Sequence, residues 1–389
     1  MRGLFLSLPP FSPDYSGVCS ALLEMGALLV VHDGTGCSGN FLCHDEPRAQ
    51  TFPMMVYTSN LREMEVVMGD DEAFLEKVQR AAADLDPRMI VLLNSPAPLV
   101  IGTDFRALSR ILEKRTGKPV LFFDTNGIRF YDWGVEQALL AAVRRFAAEL
   151  AEKRAPGGLA VLGAVPLNLG RPENGALLRR ELERTTGLET TVVGMGCGED
   201  SLGAAARAEV NLVASAAAVP AAEWCRKEFG VPWVADLPVG KSGLSRVAER
   251  VRAAADGRPL PQCPAGREGG RRALVIHEQV TANAFRACLQ GEFGYGRVDV
   301  ATFFTLRPEL AETGDFPLSE ELDFAAAVKA GRYEDVFCDH LLHGMLRGCG
   351  ARLIDLPHLA VSALMCCPMD FCPVGEAASG YLRERLHEV

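Results

Sequence analysis

Two cysteines near the beginning of the chain, Cys19 and Cys37, have side chains that can bind a metal or an iron–sulfur cluster. Cys37 follows an apolar run, residues 27–31, that predicts a buried strand, and Cys19 is expected in an early loop. The glycines around Cys37, including Gly36, allow a sharp turn that exposes backbone N–H groups beside the thiol. Such groups stabilise the negative charge of a cluster. The alternative is a pair of ordinary buried cysteines, and the two residues alone favour it.

Three segments resemble motifs of one family, the component 1 proteins of nitrogenase and nitrogenase-like reductases. Residues 32–37, HDGTGC, resemble that family's His-Gly-Pro-x-Gly-Cys cluster loop, with Asp33 and Gly34 as departures. Residues 65–71 are similar to the family's E-x-V-V-F-G-G turn, and residues 95–104 to its C-P-x-x-x-I-G-D-D loop without the cysteine. A weaker likeness continues through the rest of the chain.

The resemblance implies a [4Fe–4S] cluster and a way of holding it. The family's third ligand position falls on Ser95 or Pro96, neither of which supplies a thiolate. The cluster would then be held by Cys19 and Cys37 from each of two chains, across the axis of a symmetric dimer. A heterodimer with a related subunit, or recruitment of Cys43, would also complete the ligand set.

Larger clusters of the nitrogenase type are not expected. The eight-iron cluster draws more thiolates from each subunit than Cys19 and Cys37 supply. The position that resembles the nitrogenase cofactor-ligating cysteine reads Ala214 and Ser215. The resemblance therefore implies neither a molybdenum–iron cofactor nor reduction of dinitrogen.

A second group of cysteines, Cys366, Cys367 and Cys372, lies close to the C-terminus and is bracketed by prolines that stiffen the segment. These residues are candidates for a second metal site or for redox chemistry. Their spacing matches neither a ferredoxin run nor a zinc knuckle, and adjacent cysteines seldom reach one metal together. Packing within the loop is the alternative.

Histidines and an aspartate follow predicted strands in the last part of the chain. Asp339, His340 and His343 come after one strand, which ends at Cys338, and His277 comes at the end of another. His340 and His343 fall on one face of a helix. A zinc site built from Cys338 and the two histidines lacks an obvious fourth ligand. We expect His277, Asp339, His340 and His343 to line a central crevice and to donate protons near neutral pH.

An alternation of strands and helices positions these residues. The strands read as continuous apolar runs, as parallel strands covered on both faces do. The pattern predicts an α/β fold of three Rossmann-like, doubly wound parallel-sheet domains around a central crevice. The predicted domains are residues 1–155, with the cluster loop, 156–256 and 271–389, joined by a linker at 257–270. Predicted strands are 27–31, 89–93, 119–123, 159–164, 190–194, 210–213, 232–235, 273–277, 297–302, 334–338 and 352–355, and predicted helices are 71–85, 104–115, 132–153, 173–186, 199–207, 219–229, 243–255, 280–291, 319–330, 339–347 and 374–387.

Composition narrows the class of protein. The 389 residues are 48% hydrophobic, enough for several buried cores, and the net charge of −10 with a pI near 5.3 argues against nucleic acid or an anionic membrane as partner. No membrane-spanning stretch or signal-peptide pattern is apparent. The 12 cysteines are too dilute for a disulfide scaffold. We expect a cytoplasmic protein that functions under anaerobic conditions.

A possible nucleotide site is rejected. Gly240, Lys241 and Ser242 resemble the end of a phosphate-binding loop, but the first glycine of that loop is replaced by Ala235, and Pro238 stiffens the turn. We expect no nucleotide on this chain. The resemblance then implies a separate ATP-dependent iron protein as the electron donor.

The predicted function is the catalytic, electron-accepting component of a nitrogenase-like two-component reductase. It would receive single low-potential electrons through the [4Fe–4S] cluster and reduce an organic or tetrapyrrole-like small molecule in the crevice. One alternative is an assembly scaffold for a metal cluster or cofactor within the same family. Another is a small-molecule binding protein without a cluster.

Overall fold

The computed structural model describes residues 7–34, 36–96, 98, 102–153 and 155–387, and of Cys37 only the backbone. Three sheets organise these residues, and every pair of neighbouring strands is parallel. The sheet orders are β2-β1-β3-β4, β6-β5-β7-β8 and β11-β10-β9-β12-β13. The strands are β1 (Ala27–Val31), β2 (Val56–Thr58), β3 (Met89–Leu93), β4 (Val120–Phe123), β5 (Leu159–Leu162), β6 (Thr190–Val192), β7 (Val210–Val213), β8 (Trp233–Ala235), β9 (Ala273–Ile276), β10 (Val298–Thr302), β11 (Phe316–Pro317), β12 (Asp335–Cys338) and β13 (Arg352–Asp355).

These orders confirm the predicted doubly wound α/β fold. In each sheet the chain starts near the middle, runs to one edge and then returns to build the other side. Loops after the two strands at this switch point diverge and leave room for a site. In the first sheet the switch lies between β1 and β3, in the second between β5 and β7, and in the third between β9 and β12.

Helices cover the sheets. Asp70, Asp104 and Glu278 each begin a helix by accepting backbone N–H groups of the first turn with the carboxylate. Gly117 and Gly187 end two helices in the left-handed conformation, with φ of 67° and 75°. The helices are α1 (Asp14–Leu22), α2 (Gly36–Asn40), α3 (Glu63–Met68), α4 (Asp71–Leu85), α5 (Phe105–Thr116), α6 (Tyr131–Ala151), α7 (Pro166–Leu169), α8 (Pro172–Thr186), α9 (Ala204–Arg207), α10 (Val219–Phe229), α11 (Gly240–Ala255), α12 (Gln279–Glu292), α13 (Glu321–Gly331), α14 (Leu359–Cys366) and α15 (Gly375–His387).

Helix α1 is the main correction to the sequence prediction, which placed Cys19 in a loop. Every residue of α1 is buried, so the helix has no polar face and no amphipathic period to reveal it. It packs against α6 through two glycines. A Cβ atom on Gly17 would lie 1.9 Å from the backbone oxygen of Tyr131, and one on Gly134 would lie 1.9 Å from the backbone oxygen of Asp14. Because neither glycine has a side chain, α1 and α6 can cross at a distance that any larger residue at these two positions would prevent.

Two other predicted helices are wrong in type. Residues 199–207 form a 3₁₀ turn, Glu199–Gly203, followed by the short helix α9, and residues 339–347 form a 3₁₀ turn, His340–Leu346. Strand β2 and helices α3 and α14 were not predicted. Strand β2 has three residues, helix α3 has six and none of them is buried, and helix α14 is almost entirely apolar, so these elements give no clear periodic signal.

The three sheets share cores. One apolar cluster contains residues of all three, among them Leu29, Val213 and Leu274, and a second joins the second and third sheets. The predicted domain boundaries therefore remain predictions, although residues 258–272 form no helix or strand. Within the described part of the chain, no helix combines the length and apolarity needed to cross a membrane.

Candidate functional site

Two buried histidines face each other where the third sheet meets the rest of the molecule. His277 follows β9, and His358 lies three positions after the end of β13. Their rings stack with centroids 3.8 Å apart and planes inclined by 15°. Each side chain is about 2% exposed. The pair is enclosed by protein on all sides.

Hydrogen bonds determine which ring nitrogen carries the hydrogen in each histidine. The backbone N–H of Glu278 donates to His277 Nδ1 at 2.8 Å, so the ring proton is on Nε2, 3.4 Å from the carbonyl oxygen of Pro357. The Tyr131 hydroxyl donates to Asn168 Oδ1 and lies 3.3 Å from His358 Nε2. Because that hydroxyl has one hydrogen, His358 Nε2 is the donor to the tyrosine oxygen.

Burial also makes both rings neutral. It lowers the pKa of His277 from its ordinary 6.5 to about 4. It lowers the pKa of His358 further, and a charge on the neighbouring His277 would add to this effect. At neutral pH the two imidazoles stack without charge repulsion. His277 is therefore neutral near pH 7, and its role as a proton donor stays a prediction.

Asp339 positions the second histidine. Its carboxylate accepts the backbone N–H of His358 at 3.0 Å, the hydroxyl of Ser362 at 2.8 Å and the backbone N–H of Leu341 at 3.0 Å. The side chain is 1% exposed. Its contacts are therefore those of a scaffold for the turn and for His358.

His340 and His343 lie on the 3₁₀ turn that follows β12. His340 Nδ1 is 3.6 Å from Asp339 Oδ1 and 3.7 Å from Asp355 Oδ1, and its side chain is 36% exposed. His343 Nε2 is 3.3 Å from the carbonyl oxygen of Cys338. Burial and the nearby Asp339 raise the pKa of Asp355. The structure thus separates the four predicted residues into an enclosed group, His277 and Asp339, and a partly exposed group, His340 and His343.

Aromatic side chains fill the space beside the histidine pair. The ring of Phe304 lies 4.9 Å from that of Tyr131 and 5.2 Å from that of His358, and Phe11 contacts Phe303 at 5.2 Å, centroid to centroid. The region expected to be an open crevice is thus packed at this point.

Two polar atoms next to this cluster have unused hydrogen-bonding capacity. The hydroxyl of Ser215 and the side-chain nitrogen of Asn168 are buried and have no partner among the described residues. Buried polar groups are normally paired, so these atoms are candidates for contact with a ligand or water. Ser215 stands where the resemblance would place a cofactor-ligating cysteine.

Glu278 joins the second and third sheets at the same place. The carboxylate accepts backbone N–H groups from Ala216 at 2.6 Å, Thr281 at 3.1 Å and Val280 at 3.2 Å. Burial raises its pKa, and the N–H groups oppose that effect. A nearby contact, from the Thr305 backbone and hydroxyl to Asp132 at 2.8 and 2.6 Å, ties the third sheet to α6.

The three motif segments of the first part of the chain meet around one cavity. A cavity of about 290 Å³ is lined by His32, by residues 65–71 and by Gly102 and Thr103, together with Leu61. Residues at the carboxyl ends of β1 and β3 therefore come together, as the switch-point rule requires. Burial lowers the pKa of His32 to about 4, and its Nδ1 lies 2.8 Å from Ser59 Oγ.

The predicted cluster ligands are placed very differently. Cys19 is fully buried on α1, and burial together with the carboxylates of Glu46 and Asp45 raises the pKa of its thiol. Cys43 is exposed, on a π-helical turn, Phe41–Asp45. The Cys37 side chain lies outside the described residues. A Cβ on Gly36 would meet nothing within 4 Å, so this glycine begins α2 without a close approach.

The thiol of Cys19 is enclosed within this chain. Among the described residues, which include neither the Cys37 side chain nor a second chain, no three His, Cys, Asp or Glu side chains are grouped to hold a metal ion. Ligation by Cys37 and ligation by Cys19 therefore both stay predictions.

The C-terminal cysteines surround the end of α14. Cys366 is exposed, whereas Cys367 and Cys372 are 8% and 9% exposed. Ala363, within the same helix, has φ of 52°, a strained value for a residue with a Cβ. In the part of the chain described, these thiols form no metal-binding group with other ligands. Their metal or redox role stays a prediction.

Sequence reasoning missed His358, Tyr131 and Asn168. His358 follows β13 much as His277 follows β9, so the rule that loops at the carboxyl ends of parallel strands build the site would have found it. Tyr131 and Asn168 are distant in sequence from both histidines and carry no local signal.

Comparison with known proteins agrees with this architecture. The sequence profile of the family described as Nitrogenase component 1 type Oxidoreductase matches residues 14–291. One subunit of the light-independent protochlorophyllide reductase of Methylobacterium radiotolerans is 27% identical over 222 residues, which are 55% of this chain and 41% of that protein. The nitrogenase molybdenum–iron protein alpha chain of Nostoc commune is 32% identical over 90 residues, 23% of this chain and 29% of that protein. The chain thus spans less than half the length of either relative.

Solved structures show the same fold. Nitrogenase Cp1 at pH 6.5 aligns with 99% of this chain and 93% of its own, with a TM-score of 0.71 and 14% identity. Nitrogenase Cp1 at pH 5 aligns with a TM-score of 0.68 and 13% identity, over 99% of this chain and 89% of its own. Because the family profile covers most of the sequence, this chain belongs to the nitrogenase component 1 type oxidoreductases.

Proposed function

We propose that this chain is the catalytic, electron-accepting component of a two-component reductase, served by an ATP-dependent iron protein. The observation that carries the proposal is the meeting of the three motif segments at the cavity beside His32, in a chain of this family. Members of the family normally bind iron–sulfur clusters and work with such an iron protein and with related subunits. The relative that reduces protochlorophyllide supports an organic or tetrapyrrole-like substrate.

The cofactor in this proposal is a [4Fe–4S] cluster shared at a subunit interface, with Cys37 as a ligand. A cluster of this kind, when bound, takes up and releases one electron at a time. Neither Ser95 nor Pro96 supplies the third thiolate, so the remaining ligands would come from a second copy, from a related subunit or from Cys43. Cys19 stays in the proposal as a ligand to be tested, against its enclosed position.

Proton delivery falls to His340 and His343. Both are more accessible than the stacked pair, and the carboxylates of Asp339 and Asp355 lie close to His340. The raised pKa of Asp355 suits a group that exchanges protons nearer to neutral pH than an exposed aspartate. His277, His358 and Asp339 are assigned to holding this region in shape.

Anaerobic purification followed by iron and sulfide analysis and EPR spectroscopy tests the cluster. About four irons per two chains supports a shared cluster. The Cys37→Ala variant should lose iron. Cys19→Ala is compared with Cys225→Ala, because both thiols are completely buried on helices. Iron loss in Cys19→Ala alone makes Cys19 a ligand, and unchanged iron in both leaves it a packing residue.

Turnover then separates the enzyme from a scaffold. Reduction of a tetrapyrrole substrate with the iron protein and ATP supports the reductase. Transfer of labelled iron to an acceptor protein without turnover would instead identify an assembly scaffold. A colourless protein without iron, prepared without oxygen, would contradict both and favour the small-molecule binding protein.

A further inference from the structure

A further cavity lies away from both groups of residues discussed so far. It has a volume of about 560 Å³ and lies between the second and third sheets. Its walls come from the carboxyl end of β8, helices α11 and α12, the segment 262–266 and the segment 309–312. This volume is within the range of small-molecule sites in proteins.

Three arginines stand at or near this cavity, and two of them are neutralised by strong ion pairs. Arg246 binds Asp236 at 2.9 and 3.1 Å and the Leu237 carbonyl oxygen at 3.0 Å. Arg286 binds the carboxylate of Asp315 at 2.9 and 2.7 Å. Both carboxylates are thereby engaged in two-point contacts typical of arginine pairs.

The third arginine, Arg250, lines the cavity with only long contacts. Its guanidinium is 3.4 Å from Asp236, 3.4 Å from the Pro261 carbonyl oxygen and 3.5 Å from the Cys263 sulfur. Its Nε is buried and has no hydrogen-bond partner among the described residues, and the same is true of Arg286 Nε. The Arg286 side chain is 3% exposed. Arg286 also pairs with the exposed Glu312, a further residue of the wall, at 3.2 Å. Asp236 is shared by Arg246 and Arg250, so Arg250 has no carboxylate of its own, and neither buried Nε group is paired within the described part of the chain.

Polar side chains suited to an organic ligand complete the wall. Gln262 and Gln290 line the wall with carboxamides, which both donate and accept hydrogen bonds, although the Gln290 nitrogen already donates to the Gly296 carbonyl oxygen at 3.2 Å. Apolar contact comes from Val280, Ala287 and Leu310. Glu309 lies on an exposed 3₁₀ turn at the edge of the cavity. An inorganic anion would contact only the guanidinium group. An organic anion would also contact the carboxamides and the apolar side chains of the wall.

We propose that this cavity binds a small organic carboxylate, with the Arg250 guanidinium as its anchor. The planar fork of arginine matches a carboxylate, and a buried charge-assisted bond is far stronger than the long contacts that Arg250 now makes. This site is independent of the reductase proposal, because none of its residues belongs to the motif segments or to the histidine pair.

Isothermal titration of the full-length protein tests the site with acetate, succinate, L-glutamine and benzoate as probes, and with sulfate for comparison. We expect at least one of the carboxylates to bind with a Kd of about 10 mM or lower. Arg250→Gln should weaken that binding about tenfold or more, the loss expected for one charge-assisted hydrogen bond. Arg252→Gln is the matched control, since Arg252 lies on the same helix, is exposed and is not part of the cavity wall. It should leave the affinity unchanged.

The location is checked by alkylation with iodoacetamide and peptide mass spectrometry. Cys263 is exposed and lies in the cavity wall, whereas Cys366 is exposed elsewhere. A bound carboxylate should slow the alkylation of Cys263 and leave Cys366 unaffected. The proposal is wrong if no carboxylate binds, if sulfate alone binds, if Arg250→Gln retains full affinity, or if Cys263 is not protected.

Discussion

Ser95 Oγ lies 3.0 Å from Asp33 Oδ1, which joins the two strand ends at the switch point of the first sheet. Both residues lie in segments that depart from the motifs the chain otherwise resembles: Asp33 replaces a glycine of the cluster loop, and Ser95 begins the loop that lacks the family's cysteine. The same hydroxyl is 2.9 Å from the carbonyl oxygen of His32. The Ser95 hydroxyl therefore ties its own loop to the loop that follows β1.

The first prediction follows from this contact. Ser95→Ala should lower the free energy of unfolding by about 1–2 kcal/mol, because the hydroxyl is buried and bonded. Ser215→Ala is the matched control: that hydroxyl is equally buried but has no partner in the described part of the chain. Urea unfolding monitored by circular dichroism measures both. Equal losses in the two variants would show that the Ser95 contact adds nothing.

Much of the fold could be predicted because the strands are strong local signals. Strands β1, β3, β7 and β13 have the predicted bounds, since each is a short apolar run closed by turn residues. Helix α1 could not be found, because complete burial removes the alternation of polar and apolar faces. Of the histidine pair, only His277 was predicted, because a strand directly precedes it. Its contact with His358 depends on the pairing of β9, β12 and β13, which no local pattern encodes.

The second prediction concerns the close helix crossing. Gly17→Ala should destabilise the protein by about 3 kcal/mol, the upper end of the usual cost of overpacking, because the new methyl would meet the backbone of Tyr131 at 1.9 Å. Gly380→Ala in α15 has open space at its Cβ and should stabilise by about 0.5–1 kcal/mol. Thermal unfolding of the two variants beside the wild type gives the comparison. A neutral Gly17→Ala would mean that α1 and α6 separate at little cost.

The third prediction concerns a buried ion cluster between the first and second sheets. Arg48 is 2% exposed and binds Glu46 at 2.7 Å and Glu24 at 2.8 Å, and it also donates to the Gly194 carbonyl oxygen. Arg48→Met should cost about 3–5 kcal/mol, since two buried carboxylates lose their partner. Arg115→Met removes an exposed ion pair with Glu72 and should have little effect. Chemical denaturation resolves the difference, and similar midpoints for both variants would contradict it.

The fourth prediction is a pH dependence. The folded-state pKa of His277 is about 4 against 6.5 when unfolded, so the unfolded chain binds more protons in this interval. The stability due to the neutral ring is complete above about pH 6.5 and is lost as pH falls toward 4, the loss reaching about 2 kcal/mol at pH 5. His277→Asn removes this titration. The wild type should therefore lose more stability than His277→Asn between pH 7 and pH 5 in urea unfolding, and parallel curves would refute the neutral, enclosed histidine.

The last prediction distinguishes proton delivery from support of the turn. Replacing both His340 and His343 by glutamine should lower kcat of the reductive reaction about tenfold to a hundredfold, the usual contribution of one acid–base group. The iron content should not change, since neither residue is proposed as a ligand. Ser362→Ala is the control for a merely structural effect, because it removes a contact to Asp339 beside the same turn without removing an imidazole. A role in proton transfer requires that the histidine variant alone alter the pH profile of kcat. If both variants lower kcat equally and leave that profile unchanged, the two histidines only hold the turn, and the proton must come from solvent or from the substrate's own groups.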